Sequence, residues 1–282
     1  MLDILIDAVL DSIKLVPFLF VTYLIMEYLE HKTSDKSKKH IKKSGEWGPV
    51  IGGILGAFPQ CGFSVSATNL YVGRIISLGT LIAVYLSTSD EMIPVFLSEA
   101  VPLNIILKLL GIKIIISIIA GICIDLICKK SNREYKQEIA EICDHEHCHC
   151  DEGIVKSAIK HTINITLFIF LISLILNALI NLVGEENISN LVLNRPVLGP
   201  IIASLVGLIP NCAASVIIAE LYIGGMIADG TMVAGLLVSA GVGLLVLFKM
   251  NNNIKENLKI VAILYSIGAS VGIILELLGF SL

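Results

Sequence analysis

Six cysteine and histidine side chains fall within eight residues of the stretch EICDHEHCHCDEG (141–153). They are Cys143, His145, His147, Cys148, His149 and Cys150. Thiolates and imidazoles bind Zn, Co, Ni and Cu(I) well, whereas Mn and Mg prefer oxygen ligands. The spacing is not that of a zinc finger. We therefore predict a flexible metal-chelating tract rather than a folded structural site; the alternative is a solvated run of charge.

Two closely similar phrases, AFPQCGFSV (57–65) and LIPNCAASV (208–216), each place a proline, an amide side chain and a cysteine side by side in an apolar run. Proline removes a backbone donor and interrupts a helix, and a buried amide needs hydrogen-bond partners. We predict a broken or re-entrant helix at both phrases. The alternative is a proline kink whose small neighbours allow close helix packing.

Polar side chains that are costly to bury in a membrane surround both phrases. We predict that the substrate is bound by Gln60, Cys61, Ser64, Asn69, Asp90, Glu91, Asn211, Cys212, Ser215 and Glu220. Two thiols facing one cavity would hold a soft or borderline metal, and Glu220 would neutralise charge or couple protons. The alternatives are that the cysteines are inert core residues and that Asp90 and Glu91 cap a helix at the membrane surface.

The composition places these residues in a membrane. Of 282 residues, 55% are hydrophobic and 16% are charged, whereas a soluble domain carries about 25% charged residues. Apolar runs of roughly 20 residues recur, and their composition favours helices over a barrel. We predict an all-α polytopic membrane protein whose first apolar run is a retained helix and not a signal peptide. The isolated charges Arg74 and Lys113 are expected to snorkel to the interface or to pair with an acid.

The chain contains one unit twice. At a shift of 151 residues, 48–83 aligns with 199–234 without a gap, with 15 identities in 36 positions. We predict a first transmembrane repeat over 1–128, a His/Cys-rich linker over 129–157 and a second repeat over 158–282.

Loop charges predict that the two copies have opposite orientations. Residues 31–47 contain six lysines and the linker contains five basic residues, so both should face the cytoplasm. The second-copy equivalent of the first loop, 181–195, has Glu185 and Glu186 against one arginine and should face outside. We predict two inverted repeats of five helices, about ten in all, with the N-terminus outside. This is an architecture of secondary transporters.

Three stretches and the His-rich central loop resemble a known family, the ten-helix heavy-metal exporters of bacteria and archaea. The stretches are FPQCGFSVSATNLYVGR (58–74), LSTSDEMIP (86–94) and PNCAASVIIAELYIGG (210–225). Members are described variously as manganese transporters and arsenic-efflux-like permeases. The resemblance covers nearly the whole chain and implies an inner-membrane efflux permease without an ATPase domain. The chain has no GxxxxGK[ST] motif, in agreement with this implication.

We therefore expect a secondary-active exporter of a divalent or soft heavy metal in a prokaryotic inner membrane. The metal (Mn, Zn, Co, Ni or similar) would be a substrate, and no resident cofactor is expected. Its partners would be the lipid bilayer and coupling protons, with no nucleic acid; the oligomeric state stays open. One alternative is a transporter of an organic solute or oxyanion, with a loop that only regulates, and another is a metal sensor. No HExxH motif or nucleophile–base pair indicates an enzyme.

Overall fold

The computed structural model describes residues 47–58, 62–89, 92–128, 154–183, 197–280 and 282, together with nine separate residues between 9 and 24. In these ranges eleven helices have defined bounds, and no strand occurs. They are α1 (Gly48–Gly56), α2 (Gly62–Val72), α3 (Leu78–Ser87), α4 (Met92–Ser98), α5 (Leu103–Cys128), α6 (Ile154–Val183), α7 (Leu198–Gly207), α8 (Cys212–Ile223), α9 (Asp229–Val238), α10 (Gly243–Met250) and α11 (Ile254–Leu277). The prediction of an all-α membrane protein agrees with this architecture. Outside the described residues lie Gln60, Cys61, Asp90, Glu91 and the tract 143–150.

Each proline-amide-cysteine phrase falls between two short helices. The first lies between α1 and α2, and the second between α7 and α8. Asn211 sets the start of α8, because its backbone is extended and its side-chain oxygen accepts a hydrogen bond from the Ala213 N–H at 3.3 Å. An N-cap of this kind satisfies one of the free N–H groups at the start of a helix.

A second pair of breaks interrupts the helices that follow, between α3 and α4 and between α9 and α10. Among the described residues, four stretches are long and apolar enough to cross a membrane, and two of them, Leu78–Ser98 and Asp229–Met250, contain these breaks. The broken stretches are 75% and 89% buried, whereas the unbroken α5 and α11 are each 28% buried. Among the described residues, the broken spans therefore form the centre, and the unbroken helices form a more exposed outer layer.

The two halves of the chain use the same packing. Helix α3 packs between α1 and α5, and α9 packs between α7 and α11. A Cβ added to Gly121 would lie 2.6 Å from the carbonyl oxygen of Gly79. At the equivalent positions, a Cβ on Gly272 would lie 2.7 Å from the carbonyl oxygen of Gly230. The internal repeat of the sequence is thus also a repeat of helix order and backbone contact. The inversion of the copies and the number of ten spans remain predictions.

An acidic side chain on each outer helix accepts hydrogen bonds from the first residues of a broken span. Asp125 accepts hydrogen bonds from the Gly79 N–H at 2.8 Å and the Ser77 hydroxyl at 2.6 Å. Glu276, its repeat equivalent, accepts one from the Thr231 hydroxyl at 2.8 Å. Negative charge is favourable beside a helix N-terminus, so these acids stabilise α3 and α9.

The two copies also pack across each other, α2 against α10 and α8 against α4. The Tyr85 and Thr68 hydroxyl oxygens each lie 3.1 Å from the carbonyl oxygen of Gly243, within hydrogen-bond distance. Gly243 starts α10. Side chains of the first copy thus bind a helix end of the second.

An ion pair joins the end of α2 to the start of α11. Arg74 donates to both carboxylate oxygens of Glu256, at 3.0 and 3.3 Å, and the Tyr71 hydroxyl donates to the same carboxylate at 2.5 Å. Of the two expectations for Arg74, pairing with an acid is the one observed. Arg74 has a left-handed backbone with φ 57°, where its repeat equivalent is Gly225 with φ 68°. A side chain in that conformation costs about 1–2 kcal/mol, which the ion pair offsets.

Gly121→Ala should lower the stability of the purified protein, because its Cβ would collide with the backbone of α3. We expect a loss of about 1–3 kcal/mol, seen as a lower Tm in detergent. Gly111→Ala is the matched control, since it lies on the same helix with nothing within 4 Å of an added Cβ. An equal Tm for the two variants would contradict the backbone contact.

Arg74→Ala should be less stable than Arg74→Gly, although both variants remove the ion pair with Glu256. Alanine retains the strain of the left-handed backbone, whereas glycine relieves it, so we expect a difference of about 1 kcal/mol in unfolding free energy. Thermal unfolding of both variants measures this difference. A more stable alanine variant would show that the backbone of residue 74 is not left-handed.

Candidate functional site

A small cavity lies where the broken spans of the two copies meet. Its volume is about 10 Å³, roughly the space of one water molecule. Its lining residues are Thr88, Ser89, Met92, Lys113, Cys212, Ser215, Leu236, Ser239 and Gly241. They come from the breaks that end α3 and α9, from the first turn of α8 and from the middle of α5. Both copies therefore contribute to one space.

Side-chain hydroxyls compensate for the helix break at the end of α3. The Ser87 and Thr88 hydroxyls donate to the carbonyl oxygen of Val84 at 3.0 and 2.8 Å, and the Ser89 hydroxyl donates to the carbonyl oxygen of Ser87 at 2.9 Å. Backbone polar groups at membrane depth must find partners within the protein. The serine and threonine side chains of LSTSD therefore stabilise the break by binding carbonyl groups at the end of α3.

Cys212 and Ser215 lie in the first turn of α8 and face the cavity. They are 6% and 5% exposed, and the Ser215 hydroxyl donates to the carbonyl oxygen of Cys212 at 2.7 Å. Cys212 is not in a disulfide. A thiol among hydroxyls, in a space shielded from lipid, suits a soft or borderline metal or a thiophilic metalloid. Sequence reasoning had selected both residues, and the structure brings them together beside Asn211.

The other described candidates do not line this cavity. Ser64 and Asn69 are fully buried on α2, and a Cβ on Gly243 would lie 3.0 Å from the Ser64 hydroxyl oxygen. The Asn69 side-chain oxygen accepts from the Tyr23 hydroxyl at 3.4 Å, while its amide nitrogen has no hydrogen-bond partner among the described residues. Glu220 is exposed on α8. Its role in charge neutralisation stays a prediction.

Lys113 is one of the seven cavity residues that the sequence did not predict as site residues. It does not snorkel to an interface, because its side chain is only 1% exposed. Its ammonium group donates to the carbonyl oxygen of Thr88, and to that of Leu236 at 2.9 Å. The sequence contained one signal: at a shift of 151 residues, the position of Lys113 in the second copy holds Leu264. A lysine that replaces a core leucine within a long apolar helix indicates a buried charge.

Within the described part of the chain, no group of three or more His, Cys, Asp or Glu side chains is placed to hold a metal ion. The cavity offers one thiol, four hydroxyls and one ammonium group from the residues that line it. The cavity wall therefore combines a soft metal ligand, neutral hydroxyl groups and a positive charge. Asp90 and Glu91 directly follow the lining residue Ser89 in the chain.

The sequence model of a family described as "Putative, 10TM heavy-metal exporter" matches residues 1–186 of the chain. The match includes the first copy, the central tract and α6. No curated protein and no solved structure matches the chain. The thiol side of the cavity, with Cys212 and Ser215, comes from the second copy and lies beyond the matched residues.

Proposed function

Since this chain belongs to the family of 10TM heavy-metal exporters, we propose that it is a secondary-active transporter that expels a divalent or soft heavy-metal ion by alternating access. The observation that carries the proposal is the cavity between the broken spans, with the Cys212 thiol in its wall. Secondary transporters bind substrates near the bilayer midplane, at the interface of their repeats and beside discontinuous helices. This cavity lies between the two copies and beside broken helices, which supports the proposal.

The position of the cavity also suits alternating access. Its walls come from the two copies, so a movement of one copy against the other would change the side from which the cavity opens. The broken spans are buried among other helices, where a non-helical backbone at membrane depth is tolerated. We propose that a hinged movement at the breaks exposes the site to each side in turn.

The donor set favours a thiophilic substrate. We propose that Cys212 binds the metal with Ser215, beside Asn211, and that Gln60 and Cys61 contribute from the first copy. Cys61 is the repeat equivalent of Cys212. Asp90, Glu91 or Glu220 would neutralise the charge of the metal or exchange it for protons, since metal binding displaces protons from thiols and carboxylates.

We further propose that the tract 143–150 faces the cytoplasm of a prokaryotic cell and supplies metal to the cavity. The basic residues in 31–47 and 129–157 support this orientation. The N-terminus would then lie outside.

The Lys113 ammonium in the cavity wall favours a second candidate function. A bare divalent cation would be repelled by this charge, whereas an oxyanion or an organic anion would be attracted. In that case the tract 143–150 would only regulate transport.

Uptake into inside-out vesicles with an imposed proton gradient tests the metal site. The panel is Mn, Zn, Co, Ni, Cd and arsenite, with arsenate and phosphate as anionic probes. We expect one metal or metalloid to accumulate in the wild type and uptake to fall at least about tenfold in Cys212→Ser, because a ligand is lost. Cys123→Ser is the matched control, since Cys123 is an exposed thiol on α5.

Two outcomes would contradict the thiol site. Equal uptake by the wild type and Cys212→Ser would show that the thiol does not bind the substrate. Accumulation of arsenate or phosphate without any other member of the panel would favour the second candidate function.

Deletion of 143–150 should raise the metal concentration needed for half-maximal transport and leave the rate at saturating metal unchanged. The physical reason is that a chelating tract raises the local concentration of metal without forming the transport site. Initial rates over a range of metal concentrations measure this. In the control, Asp144, Glu146, Asp151 and Glu152 are changed to amides and the six thiols and imidazoles are kept. Loss of transport at every concentration after deletion would place the tract in the transport site itself.

A further inference from the structure

The carbonyl ends of two helices from different copies meet at one buried ammonium group. Lys113 donates from its Nζ to the carbonyl oxygen of Thr88, the residue that caps α3. It also donates to the carbonyl oxygen of Leu236, in the last turn of α9, at 2.9 Å. Helix α5, which carries Lys113, packs against both α3 and α9.

These carbonyl groups are available because both helices end in the middle of the protein. The last four carbonyl groups of a helix have no intrahelical partner, and together they carry a partial negative charge. The cap N–H groups of Thr88 and Ser239 donate back to Val84 and Gly235, at 3.0 and 3.2 Å, and end the two helices in the same way. Two negative helix ends therefore lie close together, and both are in contact with the same cation.

The fold does not require a charge at this position of the unit. In the second copy, the repeat equivalent of Lys113 is Leu264, which is also fully buried. An apolar side chain thus fills the same place in α11. What distinguishes Lys113 is its position between the two helix ends, where a compact ammonium group with three donors replaces a bound ion.

We propose that the carbonyl ends of α3 and α9 form a monovalent-cation site, and that Lys113 is its tethered occupant. Unwound carbonyls and helix C-termini of this kind coordinate Na⁺ in transporters with broken helices. The wild-type protein therefore needs no free Na⁺ or K⁺ to hold the two copies together here. A variant without the lysine side chain gains a site for Na⁺, K⁺ or a small alkylammonium ion. This cation site lies in the wall of the candidate cavity, and the inference holds for either candidate substrate.

Thermal unfolding of purified Lys113→Ala in detergent tests the proposal. The measurement is made in sodium, potassium, methylammonium and choline chloride at equal concentration. We expect the wild-type Tm to be the same in all four salts. The Tm of Lys113→Ala should be lowest in choline, which is too large to enter, and about 2–4 °C higher in at least one salt of a small cation.

Leu264→Ala is the matched control for this experiment. It removes a buried side chain at the equivalent position of the second copy, where no charge is present. Its Tm should be lower than that of the wild type by the same amount in all four salts. A Tm of Lys113→Ala that is likewise the same in all four salts would overturn the proposal.

Lys113→Met gives a second, independent measurement that does not need the alanine variant to fold. Methionine fills much of the same volume without a charge, so the helix ends would have neither an ammonium group nor room for an ion. We expect a lower Tm or folded yield than the wild type in every salt, with no gain from small cations. Wild-type stability of Lys113→Met would show that the two carbonyl ends need no cation, and the proposed site would be wrong.

Discussion

A backbone carbonyl that a helix break exposes within a membrane must find its donor inside the protein. Most of the polar chemistry at the centre of this fold follows from that constraint. The hydroxyls of Ser87, Thr88 and Ser89 bind carbonyl groups at the end of α3. The amide of Asn211 caps α8, and the ammonium of Lys113 binds one carbonyl at the end of α3 and one at the end of α9. Three of these residues, Thr88, Ser89 and Lys113, also line the candidate cavity.

The two copies have the same helix packing, but they differ in their charged residues. The backbone contacts at Gly121 and Gly272 are nearly the same, as are the acid anchors Asp125 and Glu276. The buried cation occurs only in the first copy, where the second has a leucine. The ion pair of Arg74 likewise has no equivalent at Gly225, which has no side chain. The repeated contacts build the fold. The residues that differ between the copies make the two halves of the protein chemically different.

The sequence predicted those features that are set by local chemistry or by identity between the copies. Proline beside an amide predicted the breaks at 57–61 and 208–211, and the repeat predicted equivalent helices. The sequence also predicted Cys212 and Ser215 as site residues, and both line the cavity. The break at 239–242 has no proline and a mostly apolar sequence, so only its alignment with 88–91 could have indicated it.

Other features depend on neighbours that are distant in the chain. Asn69 and Glu220 occupy the same repeat position, yet the first is buried and the second exposed. Their surroundings come from helices that differ between the copies. Lys113 could be seen as an unusual charge, but its partners Thr88 and Leu236 lie 25 and 123 residues away. Periodicity and composition carry no information about which free carbonyls meet a given side chain.

The backbone contact at Gly121 has a consequence for how the protein can move. Packed helices slide past each other by small adjustments of the side chains between them, and no side chain separates α3 from α5 at this point. The group α1, α3 and α5 is therefore stiff, as is its equivalent α7, α9 and α11. Between these groups and the short helices that follow, the helices are interrupted after Ser87 and after Val238. Lys113 belongs to one of these groups and binds a carbonyl in each, so it ties the two together.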